Sequence, residues 1–388
     1  MKDILVVVLN TNIGGGITTA VMNFTSELCK HGHNVSFLDF TATEKNKNLH
    51  PDVKQIFLKG ISKYYLLSPK DISSAPLLKK PLLMLLGLVK KFTNKNGLWQ
   101  KIIFRKLKEE YDVAVAFRQC APCYIYVLDK VKAKIKIGFV HGDVNYMGDI
   151  SSWQYMMKDF DRIAYVSDAV RIGFEEKYPE LKNNGCTIYN VLDAQNIIDK
   201  ANEPADVTFN KDNINIVTVS RINNSQKRIN RIPPVISKLM EQGIDNIKWY
   251  VIGDGRDTDE VKALAKKLNV SDNIVFLGKK TNPYSLLKNS DIFVLPTKTE
   301  SYGLVVVEAM ILNVPVVVCE YPALKEIFDD GVHGLVAQQS VESLAEKIGT
   351  LIKNKELYEK IKENSRLYNH TNDIAYNQFM GAIDNETR

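Results

Sequence analysis

Short apolar runs alternate with longer stretches whose apolar positions recur every three to four residues along nearly the whole chain. The runs predict strands buried in parallel sheets, and the longer stretches predict amphipathic helices covering both sheet faces. In the first half the predicted strands are Ile4–Leu9, Val35–Phe40, Val113–Phe117, Ile135–Val140 and Ile163–Val166. In the second half they are Ile214–Val219, Trp249–Ile252, Ile274–Leu277, Ile292–Leu295 and Val314–Val318. Each set suffices for a doubly wound sheet of its own, so the fold class is α/β with two Rossmann-like domains. The polar stretch Ala201–Asn213, which carries Pro204, separates the sets and reads as a linker. The first domain is placed over 1–195, the second over 196–370, and a C-terminal helix over 371–388 is expected to pack back on the first. Open α/β sheets bind ligands beyond the C-terminal ends of their strands. Two such domains facing one another imply a cleft, with its functional residues in strand-to-helix loops.

The most informative loop is Pro296-Thr-Lys-Thr-Glu300-Ser301-Tyr302-Gly303-Leu304-Val-Val-Val-Glu308, which follows the strand Ile292–Leu295. A helix opens near Gly303, and a helix start offers free amides and a partial positive charge to a diphosphate. Glu308 stands alone among apolar neighbours, where an ionised carboxylate is costly unless hydrogen-bonded. Sugar hydroxyls are suitable donors. Two helical turns separate Glu300 from Glu308, about 12 Å along the axis. One carboxylate then reaches a donor sugar and the other a ribose, with the diphosphate between them. The competing structural reading makes Glu308 a core carboxylate paired with a cation and Glu300 a helix-terminal charge. A second strand exit, Val219-Ser220-Arg221-Ile-Asn-Asn-Ser-Gln-Lys227-Arg228, supplies fixed cations suited to a diphosphate leaving group.

Together these residues resemble the retaining glycosyltransferases of family 4, and the resemblance covers nearly the whole chain. The Glu-x7-Glu pair, the Ser-Arg…Lys loop, Ile252-Gly-Asp-Gly255, Asn273–Gly278, Asn313-Val-Pro315, Glu326–Gly331 and Gly334-Leu-Val follow that family in order and spacing. The resemblance implies the GT-B fold and transfer of a hexose or N-acetylhexosamine from a nucleotide sugar, with retention. The donor is expected to be a UDP-sugar on family frequency, the acceptor a saccharide or lipid-linked glycan, and the setting bacterial surface polysaccharide or glycoconjugate synthesis. It also implies that Arg221 and Lys227 bind the diphosphate and that Glu300 holds donor-sugar hydroxyls beside the amides of Ser301, Tyr302, Gly303 and Leu304. Glu308 would bind the ribose, and Gly278 with Lys279 would contact the base. No cofactor and no metal are expected, because the cations and the helix start take a metal's place. A sugar-nucleotide epimerase of the same fold and a non-catalytic partner subunit are the alternatives, the second of which would usually have lost the acidic pair or the cations.

In the first half, Asn12-Ile-Gly14-Gly15-Gly16 follows the first strand and forms a loop whose amides face an anion. It lacks the dinucleotide fingerprint, since Thr19 stands where its last glycine would be, yet Asp39 sits where a cofactor's ribose-binding acid would. On the family's pattern Gly15 and Gly16 lie near the donor phosphates. The loop Val140-His141-Gly142-Asp143 also ends a strand, and the resemblance places His141 close to the reacting sugar, with Asp143 a base only if the reaction inverts.

At 388 residues and +6 the chain is an ordinary globular protein with a mild bias toward anionic partners and no nucleic-acid signature. No run approaches the ~20 apolar residues of a membrane span, and the six apolar residues at Ile4 are too few for a signal peptide. The expectation is a cytoplasmic protein. Residues 76–106 differ in character, combining Leu77, Leu78, Leu82–Leu86, Leu88 and Phe92 with eight lysines and arginines and no acid. That suits an interfacial helix on an anionic leaflet; a core helix ringed by lysines is the alternative. Cys120-Ala-Pro-Cys123 has redox-motif spacing, but without a visible thioredoxin-like setting it reads as two ordinary half-buried thiols.

Overall fold

The structure, a computed structural model, describes residues 1–11, 15–65, 72–73, 77–93 and 98–384. The chain forms two compact units, Met1–Leu192 with Asn372–Arg388, and Asp193–Thr371.

Among the described residues the first unit builds a seven-stranded, all-parallel sheet. Its strands are β1 (Asp3–Val8), β2 (Asn34–Asp39), β3 (Lys54–Ile56), β4 (Glu110–Ala116), β5 (Lys132–Val140), β6 (Arg162–Tyr165) and β7 (Gly185–Thr187). The spatial order β3-β2-β1-β4-β5-β6-β7 reverses direction between β1 and β4. Residues Ile4–Val8 are buried on both faces, which is why this strand reads as an unbroken apolar run. The helix Gly16–Lys30 buries Val21, Phe24 and Leu28. The C-terminal helix Asp373–Asp384 belongs to this unit: the Phe379 ring meets Phe24 edge-on at 5.2 Å, and Asn372 hydrogen-bonds both the amide and the carbonyl of Leu192.

The second unit has β8 (Ile214–Val219), β9 (Ile247–Ile252), β10 (Ile274–Gly278), β11 (Ile292–Leu295), β12 (Val316–Cys319) and β13 (Gly334–Ala337). These strands are also parallel, in the order β10-β9-β8-β11-β12-β13, with the reversal between β8 and β11. The loops leaving two such strands diverge to opposite faces and open a crevice at their C-terminal ends.

Two expectations change. Ala201–Asn213 is no linker: the unit boundary lies at Leu192 and Asp193, and the stretch packs on its own unit. Phe209 stacks on Tyr250, Asp206 pairs with Lys280, and Glu203 accepts from Asn282. The edge strands β3, β7 and β13 add to those read from the apolar runs.

Candidate active site

Every residue singled out in the second half lies past the C-terminal end of a strand, and the loops after β8 and β11 are tied together across the switch point. The Lys298 amide donates to the Gln226 carbonyl at 2.7 Å, and the Thr297 hydroxyl donates to the same carbonyl at 3.2 Å. Arg231 reaches over from the first loop to the Pro296 carbonyl and to Gln339, whose side-chain amide in turn donates to the carbonyls of Thr297 and Glu320. Backbone carbonyls that a loop would otherwise leave to water are satisfied from neighbouring strand exits, which fixes the loops against one another.

At the centre of this bracing Lys227 and Glu300 form an ion pair, with side chains only 13% and 10% exposed. Half-buried charges of this kind persist because each neutralises the other. Arg221 differs. Its backbone carbonyl accepts from Asn223 at 3.0 Å, while its guanidinium is exposed and has no partner among the described residues.

Three residues past Glu300, Gly303 has φ 101° and precedes the helix Leu304–Ile311, with no side chain capping its first turn. A Cβ at Gly303 would lie 2.1 Å from the Tyr321 hydroxyl, which itself donates to the Tyr302 carbonyl at 3.2 Å. Only glycine satisfies both the left-handed backbone and this close approach. Tyr302 is buried, and Ser301 and Leu304 are half-buried. Gly278 ends β10 with φ 66°, and Lys279 beyond it is exposed.

The helix Leu304–Ile311 is apolar on nearly every side, and it carries Glu308 into the interior at 9% exposure. The Glu308 carboxylate accepts from the Tyr284 hydroxyl at 3.2 Å. Burial raises its pKa to about 7, and the tyrosine's hydrogen bond opposes that rise only in part. Burial, then the nearby carboxylate, pushes the Tyr284 hydroxyl up in turn. The two carboxylates thus keep separate partners, and that of Glu308 is a tyrosine, not a cation. Tyr284, Gln226, Arg231 and Gln339 were not legible as site residues. Each acts through a contact more than 20 positions away in sequence, and no local pattern marks it.

In the first unit, Gly15 (φ 100°) precedes the helix Gly16–Lys30; both glycines are exposed, and no side chain caps the helix start. Asn12, Ile13 and Gly14 lie outside the described residues. Asp39 is not available to a ribose. Its two oxygens accept from the amides of Asn10, Thr11 and Thr41 and from the hydroxyls of Thr11 and Thr41, all within 3.0 Å. Burial alone would raise its pKa, but these hydrogen bonds outweigh it and hold the carboxyl below its usual value. The residue is a knot joining the exits of β1 and β2, which removes the support it gave to a nucleotide-cofactor reading.

His141 follows β5, stacks on Phe139 and meets the tilted ring of Phe117. Its Nε2 lies 2.8 Å from the Phe117 carbonyl, an acceptor, so this nitrogen carries the proton. Burial lowers its pKa to about 4. The ring is neutral near pH 7 and presents Nδ1 as an acceptor. Asp143 accepts from the Asn145 amide at 2.9 Å, closing its own turn.

Of the segment 76–106, the helix Lys80–Thr93 buries Leu83, with Leu86 and Val89 packed partly against the core. Leu78 and Phe92 are 97% and 81% exposed, and Leu77, Leu82, Met84, Leu85 and Leu88 are exposed with them. The core-helix alternative therefore fails for most of this face. Among the described residues no helix is long and apolar enough to cross a membrane.

Residues 199–368 match the family model described as "Glycosyl transferases group 1". An uncharacterized glycosyltransferase of Haemophilus influenzae is 26% identical over 95% of both chains. An N-acetylgalactosaminyltransferase of Campylobacter jejuni that acts on a diphospho-undecaprenol-linked sugar is 25% identical over 46% of this chain and 47% of its own length. Among solved structures, Anabaena HepE in complex with UDP and glucose is 17% identical, with a TM-score of 0.71 over 99% of this chain and all of the other.

Proposed function

We propose that this chain, which has the GT-B fold and whose residues 199–368 match the glycosyl transferases group 1 model, is a glycosyltransferase that transfers a hexose or N-acetylhexosamine from a UDP-sugar to a saccharide or lipid-linked acceptor with retention. The observation that carries the reading is the Lys227–Glu300 pair, held at the switch point of the second sheet three residues before an uncapped helix start. Cation, carboxylate and helix terminus are the three groups a sugar diphosphate requires.

In this reading the diphosphate lies on the amides at Gly303 and Leu304 and takes Lys227 and Arg221 as counter-charges. The negative charge that grows as the glycosidic bond breaks is stabilised there by groups already in position, without a metal ion. Glu300, released from Lys227, accepts from hydroxyls of the donor sugar. Glu308 accepts from the ribose, and Gly278 with Lys279 borders the base. The neutral His141 ring, with Gly15 and Gly16, is assigned to the first unit's share of the chemistry, where Nδ1 accepts from a sugar hydroxyl. The complex of HepE with UDP supports the choice of base.

Glu300→Ala is the decisive variant. It should lower release of UDP and transfer of sugar by at least about a hundredfold, the scale of losing one positioned electrostatic group. The melting transition by circular dichroism should survive. A folded variant with full activity refutes the assignment.

The exposed face of Lys80–Thr93 supports a lipid-linked acceptor, since apolar residues flanked by Lys79, Lys80, Lys90 and Lys91 match an anionic leaflet. The Campylobacter relative, which acts on an undecaprenol-linked sugar, points the same way. Each lysine near such a surface is worth about 1 kcal/mol. Changing all four to Glu should abolish sedimentation with phosphatidylglycerol vesicles, and unchanged sedimentation removes the idea.

A further inference from the structure

The strand-and-helix setting that sequence spacing did not reveal for Cys120-Ala-Pro-Cys123 is present in the fold. Cys120 is the N-cap of the helix Ala121–Lys130, and that helix joins β4 to its parallel neighbour β5. The pair therefore opens the helix of a β-α-β unit, the context in which this spacing serves thiol–disulfide exchange. Cys120 has extended backbone (φ −162°, ψ 151°), Pro122 stands in the first turn, and Cys123 lies three residues on. N-cap and third helical position are the two sites whose side chains meet over a helix start.

The two sulfurs differ in access. Cys123 is fully buried, whereas Cys120 is half-buried. They also differ in proton affinity. The Cys123 thiol donates to Cys120, and with the Cys123 amide and Arg118 it outweighs burial and holds Cys120 below the usual thiol value. Burial pushes Cys123 up. Cys29, Cys186 and Cys319 have no such arrangement, and burial pushes each of them up to about 11.

We propose that Cys120 and Cys123 form a reversible dithiol–disulfide couple, in which Cys120 attacks an incoming disulfide and Cys123 resolves the adduct. The Cys120 thiolate attacks one sulfur of a disulfide, forms a mixed disulfide and expels one thiolate. Cys123 loses its proton, attacks the Cys120 sulfur, closes the intramolecular bond and expels the second thiolate. Two protein thiols are oxidised, one external disulfide is reduced to two thiols, and the protons released by the protein pass to them. Transferase chemistry uses neither sulfur, so the couple is independent of the function proposed above.

The test uses the full chain and glutathione disulfide as the probe. Trypsin cuts after Arg118 and Lys130, so both cysteines fall in one peptide whose mass after alkylation reports their state. In the wild-type protein this peptide should lose two hydrogens and carry no glutathione, and excess reduced thiol should restore it. In Cys123→Ser the mixed disulfide should accumulate on Cys120, at least about tenfold faster than any thiol reacts in Cys120→Ser. Cys123→Ala serves if the serine at this buried site unfolds the protein, with folding checked by circular dichroism. A wild-type pair that stays reduced under excess glutathione disulfide overturns the proposal, as does equal reactivity of Cys120 and Cys123 in the single variants.

Discussion

Replacing Glu308 by Gln removes a titrating group from the interior while keeping the oxygen that accepts from Tyr284. The carboxyl's pKa is about 7 in the folded protein against a usual 4.5. A folded-state value above the unfolded one means that the native state holds the proton more tightly. The resulting stabilisation is complete below the unfolded value and is lost as pH rises through the folded one. Each pH unit between the two values is worth about 1.4 kcal/mol. Between about pH 5 and about pH 8, the wild-type protein should therefore lose about 2–3 kcal/mol that the Gln variant does not.

For a unit of this size that is a shift of about 5–10 °C in the melting temperature of the second unit relative to the variant. The amide brings one new unpaired donor, at a cost of about 1 kcal/mol or more. That cost is independent of pH, so it cancels when the difference between variant and wild type is compared at the two pH values. Thermal melts by circular dichroism at both ends supply the four numbers. If the difference between variant and wild type is the same at both, burial does not govern Glu308 and the reasoning fails. Should Glu308 also receive the ribose, the variant binds UDP about tenfold more weakly, because a hydroxyl donates better to a carboxylate than to an amide.

Gly303→Ala combines a left-handed backbone with a Cβ at 2.1 Å from the Tyr321 hydroxyl, and it should cost about 1–3 kcal/mol. Adding Tyr321→Phe removes the clashing oxygen and should recover part of that loss in chemical denaturation; no recovery would place the strain elsewhere. Asp39→Asn cannot accept from all five donors at once, so it should destabilise the first unit by about 1–3 kcal/mol near pH 7. The folded pKa of Asp39 is depressed, so its contribution is present above the unfolded value and is lost as pH falls through the folded one. The gap between variant and wild type should accordingly close in acid, and a gap constant with pH would contradict the hydrogen-bond account.

The sheets were readable because parallel strands buried on both faces leave unbroken apolar runs, as in Ile4–Val8 and Ile292–Leu295. The edge strands β3, β7 and β13 were not. Lys54–Ile56 and Gly185–Thr187 are three residues long and only partly buried, so burial imposes no pattern on them. The linker reading of Ala201–Asn213 failed for a related reason. Polarity marks exposure to solvent, and this stretch is tied to its own unit by an ion pair, a hydrogen bond from Asn282 and a ring stack. Glu300, Glu308, Arg221 and Lys227 stood out because charge at a strand exit, or alone in an apolar helix, is visible locally. Tyr284 and Gln339 were invisible because their meaning lies in a partner brought close only by the fold.

The pairing of Lys227 with Glu300 has a consequence for how the donor enters. Two groups expected to face different parts of one ligand neutralise each other in the protein without it. On the proposed reading, binding exchanges partners, with the diphosphate taking the ammonium and the sugar taking the carboxylate. At an effective dielectric of about 20, a pair at contact is worth about 4 kcal/mol before desolvation and screening reduce it. Deleting Glu300 removes the internal competitor and leaves Lys227 unpaired in a half-buried site. UDP alone, which lacks the sugar, should therefore bind Glu300→Ala about tenfold more tightly than the wild type, a gain of about 1.4 kcal/mol, even as transfer is lost. Isothermal titration calorimetry with UDP on both proteins measures it. If UDP binding weakens along with transfer, Glu300 holds Lys227 in place for the diphosphate, and the exchange of partners does not occur.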